Sequence, residues 1–183
     1  MDKDFQDVLA RHLSGSTSET GARWGWKAPR SIYLLPFLHA QFADLKFIHV
    51  LRDGRDMAFS KNQNQLRKHG RAVLHWRERW FYPMPIRSLL LWERVNLRAA
   101  GYGEAQLAEN YHRVRFEDLC QVPVETTKQI MQFLAADANA ESVARAEISP
   151  PSSIGRWRGQ PSPLLAQMES VAAISLRKFG YLK

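Results

Sequence analysis

The chain has 183 residues, 45% of them hydrophobic and 24% charged, which predicts one globular domain with an ordinary hydrophobic core. Lys and Arg outnumber Asp and Glu by 26 to 18, and the formal net charge of +8 favours an anionic partner. The sequence lacks both an apolar run long enough to span a membrane and the apolar centre of a signal peptide. The single cysteine, Cys120, is predicted to pack rather than pair, and these features predict a cytoplasmic protein.

Residues 1–21 are polar and are predicted to form a flexible lead-in to a single domain over residues 22–183. A short amphipathic helix is predicted from Phe5 to Leu13. The segment Ser14 to Ser18 superficially resembles a phosphate-binding loop. It has neither the preceding apolar strand nor the Gly-Lys-Ser/Thr ending that such a loop requires.

The first elements of the predicted domain alternate between strand and helix. A short strand is predicted from Ala22 to Trp26, ending at Lys27. Ser31 to Phe42 has a helical pattern, in which Pro36 predicts a kink near the middle. The apolar run from Lys46 to Leu51 predicts a buried strand of a parallel sheet.

The predicted strand ends in the sequence Arg52-Asp53-Gly54-Arg55-Asp56 and turns into a helix. Asp53 is predicted to cap that helix, and Ser60 to lie in its second turn. A strand, a tight turn and a helix N-terminus direct backbone N–H groups towards one point, and Arg52 adds a guanidinium group there. The pattern is typical of a phosphate site. The alternative is a surface turn in which the two Arg and two Asp residues pair with one another.

Later elements follow from apolar spacing and from the positions of Pro and Gly. The chain between Asp137 and Pro151 is predicted to be irregular. The other predicted elements are a strand, Tyr111–Phe116, and the helices His69–Phe81, Ile86–Ala100, Val122–Leu134 and Ser162–Phe179.

The segment around His69–Phe81 combines a high density of basic residues with two tryptophans, Trp76 and Trp80. Basic residues interleaved with aromatic ones can bind single-stranded nucleic acid, so nucleic-acid binding is one interpretation of the positive charge. The alternative is an amphipathic helix with its aromatic side chains in the core and its arginines in solvent. The helical spacing of Val73, Trp76 and Trp80 favours this second interpretation.

Arg52 is followed eight positions later by Ser60, and this stretch resembles the site that binds the 3′-phosphate of the sulfate donor in sulfotransferases. Other segments resemble further motifs of that family in the same order. The chain is similar to bacterial sulfotransferases and, more distantly, to tyrosylprotein sulfotransferases from about Trp24 to Tyr181. The further segments are Trp24–Pro29, Arg115–Leu119, Gln129–Leu134 and Ser153–Arg158.

The resemblance implies an α/β fold with a three-layer parallel sheet like that of P-loop kinases. It also implies an enzyme that moves a sulfuryl group from 3′-phosphoadenosine-5′-phosphosulfate to a hydroxyl or amine acceptor. The donor reaction of the family needs no metal. Under this interpretation the partners are the donor nucleotide and an acceptor of unknown identity, and neither nucleic acid nor a membrane span is expected.

The resemblance also assigns roles to individual residues. Lys27 is implied to be catalytic, contacting the transferring group or the bridging oxygen; the alternative is a surface lysine at a strand end. A second group is implied to bind the donor: Arg52 and Ser60 at the 3′-phosphate, Phe116 near the nucleotide, and Arg156 and Trp157 in a late loop that closes over it. For that late loop the alternative is an exposed basic segment.

One motif of the family is missing from the printed sequence. The loop that holds the 5′-phosphosulfate begins Pro-Arg-Ser and continues Gly-Thr-Thr, whereas Pro29-Arg30-Ser31 continues into Ile32 and Tyr33. The sheet is therefore expected to be incomplete at its N-terminus. The hypothesis is that the chain is the carboxyl-terminal part of a longer sulfotransferase or a truncated gene product. The alternative is a remnant of the donor site, a nucleotide-binding or interaction protein with weak or no turnover.

Overall fold

The computed structural model describes residues 24–183, and in this range the chain forms two strands and ten α-helices. The predicted helix Phe5–Leu13 and the segment Ser14 to Ser18 lie outside the described residues. The strands are β1 (Phe47–Leu51) and β2 (Tyr111–Arg115). The α-helices are α1 (Leu35–Gln41), α2 (Gly54–Ala58), α3 (Asn64–Val73), α4 (Trp76–Phe81), α5 (Met84–Tyr102), α6 (Phe116–Gln121), α7 (Pro123–Leu134), α8 (Ala140–Glu147), α9 (Ser162–Val171) and α10 (Ala173–Lys178).

The two strands pair in parallel, with Phe47 opposite Tyr111 and Leu51 opposite Arg115. Both therefore point their carboxyl ends towards the same edge of the sheet. The predictions of a parallel pair and of an α/β fold are confirmed. A wider three-layer sheet of the P-loop-kinase type is not shown, because the sheet has two strands in the described part of the chain.

Helices cover the sheet on both faces. On β1, the Nε2–H of His49 donates a hydrogen bond at 2.8 Å to the amide oxygen of Asn96 of α5. On β2, His112 stacks on Phe133 of α7 with ring centroids 5.1 Å apart. His112 lies opposite Ile48, the neighbour of His49, and successive side chains of a strand point to opposite faces. Helices α5 and α7 therefore lie on opposite sides of the strands.

The 19-residue helix α5 is the centre of the main core. Its residues Ile86 and Leu89 are fully buried, and they pack with Leu51 of β1 and with Met168 and Leu176 of the last two helices. The predicted helix Ile86–Ala100 is confirmed and extends further at both ends. This core brings the C-terminal helices against the side of the sheet where β1 ends.

A second apolar cluster lies at the other end of the strands. It contains Leu35 and Leu38 of α1 and Ala99 of α5, with Phe47 and Tyr111 packed against it. Since Phe47 and Tyr111 are the first residues of β1 and β2, this cluster marks the amino-terminal edge of the sheet. The carboxyl-terminal edge, at Leu51 and Arg115, is the opposite one.

Three predictions for the first part of the domain are corrected. Pro36 does not kink a continuous helix but lies at the start of α1, where its missing N–H costs no hydrogen bond. Before it, Pro29–Tyr33 form a separate turn of 3₁₀-helix. Residues 24–28 form no strand, so the described part of the predicted strand Ala22–Trp26 is not extended sheet.

The predicted helix His69–Phe81 is wrong in its bounds and in the burial of its aromatic residues. The chain divides into α3 and α4, since Leu74 and His75 have extended dihedrals and the side chain of His75 caps the second helix. Trp76 is 49% exposed and Trp80 is 80% exposed. Helical spacing places the two rings on one face, but in the described part of the chain that face is not covered by the core.

Two further differences concern the C-terminal third. The segment from Asp137 to Pro151 is not irregular throughout, because it contains α8, which Asn139 caps by accepting from the Ser142 N–H. The predicted last helix is split at Ala172, whose carbonyl accepts from the hydroxyl of Ser175 at 3.0 Å.

Cys120 is half-buried with a free thiol. Among the described helices, each is too short or too polar to cross a membrane.

His49 gives a testable pH dependence of stability. Its ring is buried and hydrogen-bonded to Tyr111 and Asn96, and burial lowers its pKa below the ordinary 6.5 although the Asn96 bond acts in the other direction. Near and below pH 6.5 the unfolded chain therefore binds more protons at this histidine than the folded chain does. The free energy of unfolding should fall as the pH is lowered through this range. The contribution is at most about 1.4 kcal/mol per pH unit.

Urea denaturation at several pH values between 7.5 and 5 measures this effect. The wild-type chain should lose stability on acidification more steeply than His49→Gln, whose side chain does not titrate. Parallel pH profiles for the two proteins would show that His49 does not contribute.

Candidate functional site

The candidate site lies where β1 turns into α2, at the carboxyl-terminal edge of the sheet. Asp53 caps α2 as predicted, because its carboxylate accepts from the Arg55 N–H at 2.9 Å. Helix α2 ends at Ala58, so Ser60 lies beyond it and not in its second turn as predicted. A helix of five residues has a weak macrodipole, so guanidinium groups supply most of the positive charge at this edge.

Arg52 is the first residue after β1, and the hydrogen bonds described for its guanidinium group all come from one nitrogen, Nη2. Its Nη2 donates to the Ser153 carbonyl at 2.7 Å and the Ser153 hydroxyl at 3.0 Å, and lies 3.4 Å from an oxygen of Asp56. The ring of Phe116 lies 5.3 Å from the guanidinium carbon. Among the described residues, the Nε of Arg52 is buried and has no hydrogen-bond partner, so the bonding of this charged group is incomplete.

Asp56 connects the late loop, residues 153–158, to the carboxyl end of β1. Its side chain is almost completely buried and accepts from the Gly155 N–H at 2.8 Å and from the Trp157 N–H at 3.3 Å. Gly155 has a left-handed φ of 77°, and a side chain there would collide with the Arg158 guanidinium. The carboxylate of Asp56 therefore holds the loop by accepting from its backbone N–H groups. The sequence analysis did not assign this role to Asp56.

The late loop brings a second guanidinium group to the site. The Nε of Arg156 donates to the Ser153 carbonyl at 3.1 Å, the same oxygen that Arg52 contacts, and its Nη1 lies 3.5 Å from the carbonyl of Phe59. Phe59 precedes Ser60, so Arg156 spans the distance between the surroundings of Arg52 and those of Ser60. The structure therefore brings Arg52, Arg156 and Phe116 together around Ser153.

Trp157 packs against a buried arginine of α2. Its ring lies 3.7 Å from the guanidinium carbon of Arg55. Arg55 is buried and donates to both oxygens of Asp53, to Glu169 at 2.6 Å and to the Tyr181 carbonyl at 2.8 Å. Burial by itself lowers the pKa of Arg55, but the bonds and charges of Asp53 and Glu169 raise it overall, so the side chain stays charged. Arg55 and Trp157 form the base of the site.

Glu117 joins the ends of the two strands. It is buried at the start of α6 and accepts from the Asp53 N–H at 2.9 Å and from the Tyr181 hydroxyl at 2.9 Å. Burial and the neighbouring Glu117 charge raise the pKa of Tyr181, so its hydroxyl stays protonated and donates. This connection sets the position of Phe116, the residue before Glu117, relative to Arg52.

Ser60 is half-buried, and its hydroxyl accepts from the Asn62 N–H at 3.2 Å. It also lines a pocket of about 490 Å³ between α3, α4 and α5. Lys27 is exposed on the segment before Pro29. Its neighbour Trp26 packs on Phe42, which belongs to the cluster at the amino-terminal edge of the sheet, so the structure does not bring Lys27 to Arg52.

Several residues on which the site depends were not nominated by the sequence analysis, among them Arg55, Glu117, Asp56 and Ser153. Ser153 belongs to the late motif, but its carbonyl receives both arginines and a carbonyl leaves no signal in a sequence. Asp56 could have been suspected, because it lies four residues after Arg52 on a predicted helix. Among residues 24–183, no group of three or more His, Cys, Asp or Glu side chains is placed to hold a metal ion.

Comparison with known families gives one match. The model of a family described as the sulfotransferase family matches residues 1–139, about three quarters of the chain. The matched range includes β1, Arg52, Ser60 and Phe116, and it ends before the loop that carries Ser153 and Arg156. Searches of curated proteins and of solved structures gave no match.

Proposed function

The chain belongs to the sulfotransferase family, and we propose that it moves a sulfuryl group from 3′-phosphoadenosine-5′-phosphosulfate to a hydroxyl or amine acceptor. The observation that carries the proposal is the pair of guanidinium groups, Arg52 and Arg156, that meet at the Ser153 carbonyl. In open α/β folds, ligands bind at the carboxyl ends of parallel strands, which is where these groups lie. A 3′-phosphate between them would accept charge-assisted hydrogen bonds from both groups.

The proposed roles of the residues at this edge of the sheet follow from the groups that each side chain contacts. Arg52 and Arg156 supply charge-assisted donors to the 3′-phosphate, and Ser60 adds a hydroxyl beside Phe59. The ring of Phe116 offers an apolar face next to Arg52, against which the nucleoside can pack. Trp157 supports this arrangement from below through Arg55. Lys27 is the proposed stabiliser of charge on the leaving phosphate on the family resemblance alone, because the structure does not bring it to Arg52.

Calorimetric titration with adenosine 3′,5′-bisphosphate, compared with adenosine 5′-monophosphate, tests the proposed donor site. The bisphosphate should bind at micromolar concentration and the monophosphate much more weakly, since only the former has the 3′-phosphate. Single-turnover assays with the donor then separate two possibilities. Transfer to an acceptor supports an enzyme, whereas binding without transfer supports the alternative of a donor-site remnant. Equal binding of the two nucleotides would contradict the proposed site.

Ser60→Ala should have a small effect that is specific to the 3′-phosphate. We expect a loss of about 1 kcal/mol in binding of adenosine 3′,5′-bisphosphate, the usual value of one hydrogen bond. Ser170→Ala, on α9, is a control that removes a hydroxyl elsewhere. If Ser60→Ala and Ser170→Ala bind the bisphosphate equally well, Ser60 does not contact the phosphate.

Lys27→Met should lower turnover more than it lowers nucleotide affinity. A lysine that stabilises developing charge acts mainly in the transition state, and its loss should reduce kcat by about 100-fold. Affinity for adenosine 3′,5′-bisphosphate should change little. Lys183→Met, at the other end of the chain, is the matched control. Turnover near the wild-type rate would remove Lys27 from the mechanism.

A further inference from the structure

The segment from Trp76 to Met84 exposes an unusual amount of apolar surface. Trp80 is 80% exposed and Phe81 is 75% exposed, although these residue types are normally well buried. Trp76 and Met84 are exposed as well. These four side chains, named here the aromatic ridge, project from α4 and from the start of α5. An exposed apolar patch of this kind marks an interaction site.

The charge around the aromatic ridge is strongly positive. Residues 61–87 contain seven Lys and Arg residues and one acid, Glu78, so most of the net charge of the protein lies in this short stretch. Glu78 is already occupied, because it accepts from both the Arg94 side chain and the His75 N–H. The acid therefore does not neutralise the basic side chains beside the ridge.

A basic pocket adjoins the ridge and shares Met84 with it. Its volume is about 490 Å³, and among residues 24–183 no acidic residue lines it. Two of its lining arginines, Arg79 and Arg87, are half-buried, and the Nε of each is buried without a hydrogen-bond partner. Arg87 also donates from Nη1 to the Arg79 carbonyl at 3.2 Å, and two guanidinium groups in a pocket without carboxylates favour an oxyanion as the ligand. The basic side chains that line the pocket are Lys61, Arg67, Arg71, Arg79 and Arg87.

The geometry of the aromatic residues distinguishes between polyanionic partners. Trp76 and Trp80 share a face of α4, but Phe81 follows Trp80 directly and projects about 100° away from it, so the three rings do not form one stacking surface. Stacking on nucleic-acid bases needs rings that offer faces to successive bases. A fluid lipid interface accepts rings in any orientation, and Trp and Phe with flanking arginines are typical of segments that lie in it.

We propose that the aromatic ridge and the basic pocket bind the surface of an anionic lipid bilayer. Trp80 and Phe81 enter the boundary between headgroups and acyl chains, and Arg79 and Arg87 contact lipid phosphates. Such binding is peripheral and needs no membrane-spanning helix. Arg52 and Arg156 do not line the pocket but Ser60 does, so the proposed lipid-binding surface adjoins the proposed donor site. The proposal does not depend on sulfuryl transfer.

Co-sedimentation with lipid vesicles tests the proposal directly. The protein should bind phosphatidylcholine vesicles that contain about 30% phosphatidylglycerol, and bind pure phosphatidylcholine vesicles far less, at about 0.15 M salt. The double variant Trp80→Ala, Phe81→Ala should bind the anionic vesicles about 10-fold less. Arg79→Gln and Arg87→Gln should each weaken binding about fivefold.

The controls use exposed residues elsewhere. Ile174→Ala removes a side chain that is 75% exposed on α10, and Arg145→Gln removes an exposed guanidinium on α8. Both variants should bind anionic vesicles like the wild-type chain. Thermal melts of every variant separate a loss of binding from a loss of folding. Tryptophan quenching by brominated lipid should fall when Trp80 alone is replaced by Phe.

Several outcomes would overturn the proposal. One is absence of vesicle binding, and another is equal binding to the two kinds of vesicle. A third is loss of binding in the arginine variants but not in the aromatic double variant, which indicates a purely electrostatic polyanion site such as one for nucleic acid. A fourth is a dimer in solution that becomes a monomer in the double variant, because the ridge would then be a contact between copies of the chain.

Discussion

Arg52→Ala is expected to weaken binding of adenosine 3′,5′-bisphosphate by about 2 to 4 kcal/mol, roughly 30- to 900-fold. The change removes a half-buried guanidinium group whose Nε has no partner in the part of the chain that the structure describes. In an environment partly shielded from water, a charge-assisted bond to a phosphate is stronger than a bond between neutral groups. Calorimetric titration measures the loss. Binding of adenosine, which lacks the phosphate, should hardly change.

The controls for Arg52 separate a binding role from a structural one. Arg158→Ala removes an exposed guanidinium from the same late loop, and it should leave affinity for the bisphosphate nearly unchanged. Arg52→Lys keeps the charge but loses the planar fork, and its affinity should fall between those of the wild type and the alanine variant. Arg52 also holds Ser153, so melting temperatures must accompany the titrations. Equal losses for adenosine and the bisphosphate would indicate a structural turn.

Asp56→Ala is expected to lower the free energy of unfolding by about 3 to 5 kcal/mol, the usual cost of breaking a buried ionic network from one side. The carboxylate is buried and accepts from two backbone N–H groups of the late loop, which lose this acceptor when it is removed. Arg52 would lose its charge partner as well. Urea denaturation measures the change. Binding of adenosine 3′,5′-bisphosphate should also weaken, because Arg156 depends on the same loop.

Two further variants define what Asp56 contributes. Asp137→Ala, at an exposed position before α8, should change stability by less than about 0.5 kcal/mol. Asp56→Asn keeps one acceptor oxygen and the side-chain shape, so its loss should be smaller than that of Asp56→Ala. If Asp56→Ala unfolds at the same urea concentration as Asp137→Ala, the late loop is held by other contacts.

Elements with a strong local signal could be predicted from the sequence. Helix α5 repeats apolar residues over five turns, and β1 is a short apolar run closed by Asp53 and Gly54. The cap at Asp53 was also predictable, since a carboxylate two residues before an N–H reaches it without help from the rest of the chain. Parallel pairing followed from the apolar character of β1.

The prediction for the segment from His69 to Phe81 was wrong for a physical reason. Helical spacing shows which side chains share a face, but whether that face is buried depends on what packs against it. Trp76 and Trp80 share a face, and in the described part of the chain α5 and α3 leave it exposed. The division into α3 and α4 depends on the extended dihedrals of Leu74 and His75, which the apolar pattern does not reveal.

For the candidate site, too, one part could be predicted from the sequence and another part depended on the fold. The sequence by itself determined its chemical groups, because Arg52, Ser60, Phe116 and Arg156 lie in motifs that can be read along the chain. Only the tertiary structure decided how they meet. Asp56 accepts from N–H groups 99 and 101 residues away, and Arg52 and Arg156 share the carbonyl of Ser153. A backbone group has the same chemistry at every residue, so its selection as a partner depends on folded geometry and leaves no trace in the sequence.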